Sequence, residues 1–279
     1  MAELEIRDMT AADIDAAVAM LQSGGWNERR PFLETLLASP SCRQLLGFHE
    51  GRLAATGMAT FDGPVGWVGT IFVDPEMRSR GFGREITEAV CALIDGAGCT
   101  TQALIASEYG KPLYDAMGFR VDAWYQIMEA LPSDAAPTPP AGTSLRPMRP
   151  DDIDRVGRLD FRATGEDRRG ILGRLCDTGW LLEADDDLLG FLIQILPESG
   201  ALIAPDPQDA ACLLELLRHL GKGRAKTVRA AVIKGNDPAQ RHLQKLGWNP
   251  TFTVPRMLRG KPIPWEPALI WSLLGFAFG

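Results

Sequence analysis

Alternating and helical patterns of apolar residues divide the first half of the chain into strands and helices. Apolar and polar residues alternate from Leu4 to Met9, which predicts a half-buried strand, and Thr10 is suited to cap a following helix. A second, shorter helix is predicted over residues 29–37. Three strands (44–48, 53–61 and 67–73), a helix with apolar positions from 86 to 94, and a fifth strand (100–106) follow. This order favours a mixed sheet covered by helices.

A turn rich in arginine and glycine separates the third of these later strands from its helix. The turn consists of Arg78, Ser79, Arg80, Gly81, Phe82, Gly83 and Arg84. Glycines let a ligand approach the main chain at a helix start, where unpaired amides and the helix dipole favour an anion. The chain carries a formal net charge of −7, so this local positive charge favours a phosphate ligand and argues against a broad nucleic-acid surface. A solvated basic loop is the alternative interpretation.

The pattern Arg-x-x-Gly-x-Gly between a strand and a helix resembles the acyl-CoA pyrophosphate loop of the GNAT (GCN5-related) N-acetyltransferases. It lacks the third glycine of a dinucleotide-binding turn. A second stretch, residues 107–119, ends in Leu113-Tyr114-x-x-x-Gly118-Phe119. It resembles the GNAT segment in which a tyrosine hydroxyl points at the CoA sulfur. Both stretches lie where that family's strand order would put them.

The resemblance implies a set of cofactor contacts and one catalytic group. Residues 78–84 would hold the pyrophosphate, Ser107 would lie near the cofactor, and the main chain of Ile71, Phe72 and Val73 would hold the thioester. Splayed fourth and fifth strands, expected in this family, would free those amides to stabilise an oxyanion. Tyr114 would protonate the departing thiolate. The alternative is that Tyr114 only packs beside Phe119.

The general base is not determined by the sequence. Glu34, Asp62 and Glu108 are candidates, each of which could equally be a surface carboxylate. Water relayed to a backbone carbonyl would serve as well. The two short helices near the amino terminus are expected to form the acceptor side of the site.

The second half of the chain repeats the first without its chemistry. A segment rich in proline and alanine, residues 131–143, predicts a linker between domains at 1–130 and 144–279. Residues 145–154 align without a gap on residues 6–15, and residues 236–248 match residues 107–119, which indicates a duplication. Residues 209–214, without glycine, stand where the arginine- and glycine-rich turn should be, and Leu243 stands for Tyr114. We therefore expect a catalytically silent copy.

Composition narrows the setting and the partners. Nothing at the amino terminus resembles a signal peptide, and five cysteines without metal-site spacing predict reduced thiols, so a cytoplasmic protein without a metal is expected. The apolar stretch 265–278 is too short to span a bilayer and is predicted to dock at a domain or subunit interface. The charged residues 166–169 are predicted to be surface charge or, alternatively, to face the first domain's cleft. No nucleic-acid or membrane partner is expected, and a homodimer is left open.

These observations predict an α/β protein with a mixed sheet (α+β), built as two tandem GNAT-like domains. The layout resembles bacterial tandem-GNAT proteins with an active amino-terminal domain and a divergent carboxy-terminal one. The resemblance implies an N-acetyltransferase that moves an acetyl group from acetyl-CoA, as co-substrate, to a small-molecule or peptide amine by direct ternary-complex transfer. A non-catalytic acyl-CoA-binding regulatory or assembly protein is the alternative.

Overall fold

The protein alternates strands and helices along its whole length. The structure, a computed structural model, describes residues 3–279 apart from the side chain of Asp62. The first half contains β1 (Glu5–Asp8), α1 (Ile14–Ser23), α2 (Arg30–Leu37), β2 (Cys42–His49), β3 (Arg52–Asp62), β4 (Val65–Val73), α3 (Phe82–Gly96), β5 (Thr101–Ile105), α4 (Lys111–Ala116) and β6 (Arg120–Ala130). This mixed α/β order confirms the predicted fold class.

The second half follows the same order with one added strand. It contains β7 (Ser144–Pro147), α5 (Ile153–Thr164), α6 (Arg169–Arg174), β8 (Gly179–Ala184), β9 (Asp187–Leu196), β10 (Ser199–Ile203), α7 (Pro207–Leu220), β11 (Val228–Ile233), α8 (Asp237–Lys245), β12 (Asn249–Gly260) and β13 (Ile270–Ser272). Residues 131–143 between the halves form neither helix nor strand.

The two halves exchange their last long strands. One sheet has the order β1-β2-β3-β4-β5-β12-β6-β11, so β12 of the second half lies between β5 and β6 of the first. In turn, β6 pairs antiparallel with β11, through the register Ala130↔Val228 to Tyr125↔Ile233. The other sheet has the order β13-β10-β9-β8-β7. Three pairs of neighbouring strands in the first sheet, β5 with β12, β12 with β6 and β6 with β11, therefore join the two halves by hydrogen bonds.

A repeated ion-pair clasp supports the predicted duplication. Arg7, at the end of β1, donates to both carboxylate oxygens of Asp13 at 2.8 and 2.7 Å. Arg146, at the aligned position, donates to Asp152 at 2.7 and 2.7 Å. In both halves this carboxylate also accepts a hydrogen bond from the backbone amide three residues earlier, that of Thr10 or Arg149. This bond caps the start of the following helix. The gapless alignment of the two segments thus has a structural counterpart.

The second half differs from the first at the two positions where chemistry was predicted. Residues 209–214 lie inside α7, whose start is capped by Asp206, and only three residues separate β10 from this helix. No glycine-rich turn is present between them. Leu243 is fully buried, and its carbonyl accepts from the amide of Trp248 at 3.0 Å, as the Tyr114 carbonyl accepts from the amide of Phe119. Leu243 therefore takes the position of Tyr114.

Candidate active site

A cavity of about 930 Å³ lies where β4 and β5 separate, between the two halves of the chain. Parallel pairing of these strands ends at Trp67 and Ala103. Beyond that point β4 lines the cavity with Val68, Gly69, Thr70 and Ile71. Because successive peptide groups of a strand point to opposite edges, alternate amides of this stretch face the open side. The strands thus splay as the resemblance implied.

A bulge redirects β4 at this opening. The pairing register with β3 shifts here, and Thr70 has a positive φ of 50°. The Thr70 carbonyl accepts a hydrogen bond from Thr56 Oγ1 at 2.8 Å, which fixes the bulge from the neighbouring strand. Of the three residues predicted to hold the thioester, Ile71 lines the cavity. Phe72 and Val73 lie outside its wall, and the Phe72 side chain is buried in the core.

The turn between β4 and α3 has the backbone of an anion-binding nest. Ser79 and Gly81 have positive φ angles of 63° and 94°, and Gly81 is the N-cap of α3. The Gly81 carbonyl accepts from the amides of Arg84 and Glu85 at 2.9 and 3.2 Å. Among residues 3–279, no acceptor is found for the amides of residues 81–83. These N–H groups, at the positive end of α3, can bind a diphosphate.

The side chains of this turn surround the nest with positive charge. Arg78, Arg80 and Arg84 are exposed; Arg78 Nε also donates to the last carbonyl of β4 at 3.3 Å. The side chain of Phe82 is buried in the core, so this residue can offer only its main chain to a ligand. A Cβ on Gly83 would lie 3.7 Å from a leucine side chain of α4. The turn lies outside the cavity wall but adjoins the helix that carries Tyr114.

Tyr114 borders the cavity from α4. Its side chain is 8% exposed, and its ring packs edge-on against Phe119 with centroids 6.0 Å apart. Gly110 allows this position, because a Cβ there would lie 2.8 Å from the tyrosine ring. Burial raises the pKa of Tyr114 to about 12, so the phenol keeps its proton at neutral pH. The ring therefore both packs beside Phe119 and borders the cavity.

The remaining predicted residues differ in their distance from the cavity. Ser107 lines it and accepts a hydrogen bond from the amide of Gly110 at 3.1 Å. Of the candidate bases, Glu108 lines the cavity. Glu34 is exposed on α2 outside the wall, and the side chain of Asp62 lies outside the described part of the chain.

The charged stretch 166–169 is only partly a surface feature, which corrects one of the two sequence interpretations. Asp167 and Arg169 are partly exposed and pair with each other. Glu166 and Arg168 are buried. Trp67 of β4 donates through Nε1 to Glu166 at 2.7 Å, so this part of the second half contacts the central strand of the first. Burial raises the pKa of Glu166.

The apolar tail packs between the halves, at the kind of interface that was predicted. Strand β13 pairs with β10 and also lies against β11. After it, Ala277 packs against Gly69 of β4 so closely that a Cβ on this glycine would lie 2.5 Å from the alanine Cβ. The ring of Phe278 lies edge-on to Phe32, with centroids 5.8 Å apart. The tail thus forms part of the cavity wall.

Several residues of the cavity wall were not found by sequence reasoning. Trp26, Arg29 and Phe32 reach it from the first half, whereas Glu198 and Arg229 reach it from the second. In the sequence these residues carry no motif, and Arg29 looks like surface charge within the run 27–30. Their common location depends on how the halves pack.

Two classes of site are not observed in the described residues. Residues 3–279 contain no group of three or more histidine, cysteine, aspartate or glutamate side chains placed to hold a metal ion. No helix within the same range has the length and hydropathy needed to cross a bilayer.

Comparison with known proteins identifies the fold in both halves. The model of the acetyltransferase (GNAT) family matches residues 10–119, and a model of an acetyltransferase (GNAT) domain matches residues 156–271. Together these matches include more than half of the chain. No curated protein matches significantly.

Several solved structures share the fold of this chain over nearly its full length. A candidate acetyltransferase from Pyrococcus horikoshii has a TM-score of 0.83 at 22% identity, covering 99% of this chain and 96% of that one. A tandem GNAT protein from the clavulanic acid biosynthesis pathway has a TM-score of 0.65 at 20% identity, covering 93% and 99%. A GCN5-related N-acetyltransferase from Sphaerobacter thermophilus has a TM-score of 0.64 at 16% identity, covering 93% and 96%. At these identities the likeness concerns the fold.

With both halves matched by GNAT models, the chain belongs to the GNAT family of acyltransferases and carries two GNAT domains in tandem.

Proposed function

We propose that the first half is an N-acetyltransferase that moves an acetyl group from acetyl-CoA to an amine in a ternary complex. One observation carries this proposal. The anion-binding turn at residues 78–84 adjoins α4, and α4 puts Tyr114 on the wall of a cavity bordered by an unpaired strand edge. A diphosphate at the turn and a thioester at the cavity could therefore belong to one extended ligand. The second half has neither the turn nor the tyrosine.

Each part of the site has a distinct role in direct transfer. Amides of β4 near Ile71 would stabilise the carbonyl oxygen, which gains negative charge as the amine attacks. The new C–N bond forms as the C–S bond breaks, and the phenol of Tyr114 gives its proton to the departing sulfur. The proton lost by the amine would pass to Glu108 or to water. The phenol carries its proton at neutral pH, as this role requires, although its raised pKa makes it a weaker acid than an exposed tyrosine.

The acceptor and the setting are further parts of the proposal. The wall of the cavity comes from both halves, and its volume suits a small molecule or the end of a peptide as the amine acceptor. We expect a reducing, cytoplasmic setting, in which the buried thiols of Cys91, Cys176 and Cys212 would stay reduced.

Thiol release from acetyl-CoA in the presence of a panel of amines tests the proposal. Intersecting initial-rate lines are expected, because both substrates must be bound before transfer. Tyr114→Phe should lower kcat about 100-fold or more with little change in CoA affinity, since the ring stays and only the proton donor is lost. Tyr109→Phe is the matched control, because Tyr109 is 95% exposed and lies outside the cavity wall.

Two results would contradict the proposal. Saturable CoA binding without turnover, alike for the wild type and Tyr114→Phe, would favour a non-catalytic acyl-CoA-binding protein. Coenzyme bound at residues 209–214 in a co-crystal structure would contradict the assignment of the turn at 78–84.

A further inference from the structure

Arg29 is a partly buried cation in the cavity wall. Its Nε and Nη1 atoms are buried and have no hydrogen-bond acceptor among the described residues. The guanidinium carbon lies 5.4 Å from the ring centre of Trp26 and 5.9 Å from that of Phe32. Both rings belong to the same cavity wall. Aromatic rings orient a guanidinium, but they leave its N–H groups without acceptors.

The carboxylates of Asp115 and Glu129 are already paired with other cations and do not pair with Arg29. Asp115 pairs with Lys111 at 2.7 Å, and Glu129 pairs with Arg229 at 2.8 Å. No described carboxylate oxygen lies within 4.0 Å of the Arg29 nitrogens. Glu198 attracts Arg29 electrostatically, but its carboxylate accepts a hydrogen bond from Asn27 at 3.1 Å.

Burying two guanidinium nitrogens of Arg29 without acceptors is costly, and an anion that enters the cavity reduces this cost. Burial lowers the pKa of Arg29, and the neighbouring Arg229 acts in the same direction against the attraction of Glu198. Guanidinium presents a planar set of donors that matches a carboxylate in a bidentate pair. Such a charged hydrogen bond is strong where water is excluded.

We propose that the acceptor amine also carries a carboxylate, which pairs with Arg29 beside the rings of Trp26 and Phe32. This inference rests on the proposed acetyl transfer and narrows its substrate class to amino-acid-like acceptors. The apolar rings would hold the body of the acceptor, and Arg29 would fix its acidic end. Arg29 is therefore a specificity-determining residue that does not take part in the bond exchange.

Matched acceptors with and without the carboxylate test the inference. Suitable pairs are L-phenylalanine with phenethylamine, L-leucine with isoamylamine, and L-lysine with cadaverine, each assayed at saturating acetyl-CoA. The acid of the preferred pair should have a KM about 10- to 100-fold lower, and Arg29→Gln should remove this difference. Arg29→Lys should restore it in part, because it keeps the charge but loses the bidentate geometry. Arg30→Gln is the matched control, since Arg30 is a partly exposed neighbour that pairs with Asp15 and lies outside the wall.

A binding measurement separates this inference from the transferase proposal. Hydrocinnamate, which has the carboxylate and no amine, is titrated calorimetrically into the protein with CoA present. The inference is supported if Arg29→Gln weakens hydrocinnamate binding at least about tenfold and Arg30→Gln leaves it unchanged. This result would support the inference even if no amine is acetylated. Equal binding to the wild type and Arg29→Gln, or turnover indifferent to both the carboxylate and the substitution, overturns it while acetyl transfer stands.

Discussion

Replacing Arg168 by methionine should destabilise the protein strongly, because it leaves a buried carboxylate without its partner. Arg168 is 4% exposed, and Asp160 is fully buried. The two side chains form a bidentate pair, with Nη2 to Oδ1 at 2.6 Å and Nε to Oδ2 at 2.9 Å. Arg168 Nη1 also donates to the carbonyls of Phe278 and Gly279 at 2.9 and 2.8 Å. The substitution removes all four contacts.

The size of the effect follows from what remains buried. Breaking a buried ion pair from one side typically costs about 3–5 kcal/mol, because the remaining charge is uncompensated. We therefore expect Arg168→Met to lower the free energy of unfolding by about that amount. Combining it with Asp160→Asn removes the stranded charge, so the double variant should be more stable than Arg168→Met alone. Both variants still lack the two hydrogen bonds from Arg168 to the tail, so the double variant should not regain the full stability of the wild type.

Urea unfolding followed by circular dichroism measures this difference. Arg169→Met is the matched control; its guanidinium is about half exposed and pairs with Asp167 at the surface. This control should cost no more than about 1 kcal/mol. A loss for Arg168→Met as small as that of Arg169→Met would refute the reasoning. Faster hydrogen exchange of the tail, residues 270–279, is expected in Arg168→Met alone.

Three further results are expected. Gly81→Val should weaken CoA binding, because a β-branched residue is strained at φ 94° and would disturb the nest. Calorimetry would measure the affinity for CoA, and an unchanged affinity would contradict the assignment of the turn at residues 78–84 to the pyrophosphate. Gly110→Ala should lower kcat more than it changes CoA affinity, because its Cβ would lie 2.8 Å from the Tyr114 ring; equal activity would show that the ring position is not critical. Stability should fall as pH rises from 10 to about 12, because the unfolded chain ionises before Tyr114, whose folded pKa is raised to about 12 from 10.0. Tyr114→Phe should make that decline shallower in denaturant titrations, and an unchanged slope would contradict a buried phenol.

The succession of elements was predictable because each one carries its own pattern. The turn at residues 78–84, the segment around Tyr114 and the repeated start of the second half all lie in short contiguous stretches. Local propensity and spacing decide such features. The confirmed mixed fold and the family assignment both rest on them.

What the sequence could not predict depends on pairing between distant residues. The strands β6 and β12 were not predicted, and their sequences contain nothing that says which neighbouring strand each one pairs with. In the sequence, Glu166 and Arg168 resemble surface charge. In the structure, both are buried and hydrogen-bond to Trp67 and Asp160, respectively. Arg29 was hidden in the same way, within a polar run that tertiary packing carries to the cavity wall.

The strand exchange has a consequence for how the protein matures on the ribosome. The sheet next to the turn at residues 78–84 has a gap between β5 and β6 until β12, Asn249–Gly260, fills it. During synthesis the amino-terminal half must therefore wait, with β5 open along one edge, while more than a hundred further residues are translated. The second half thus supplies the strand that completes the sheet of the first half.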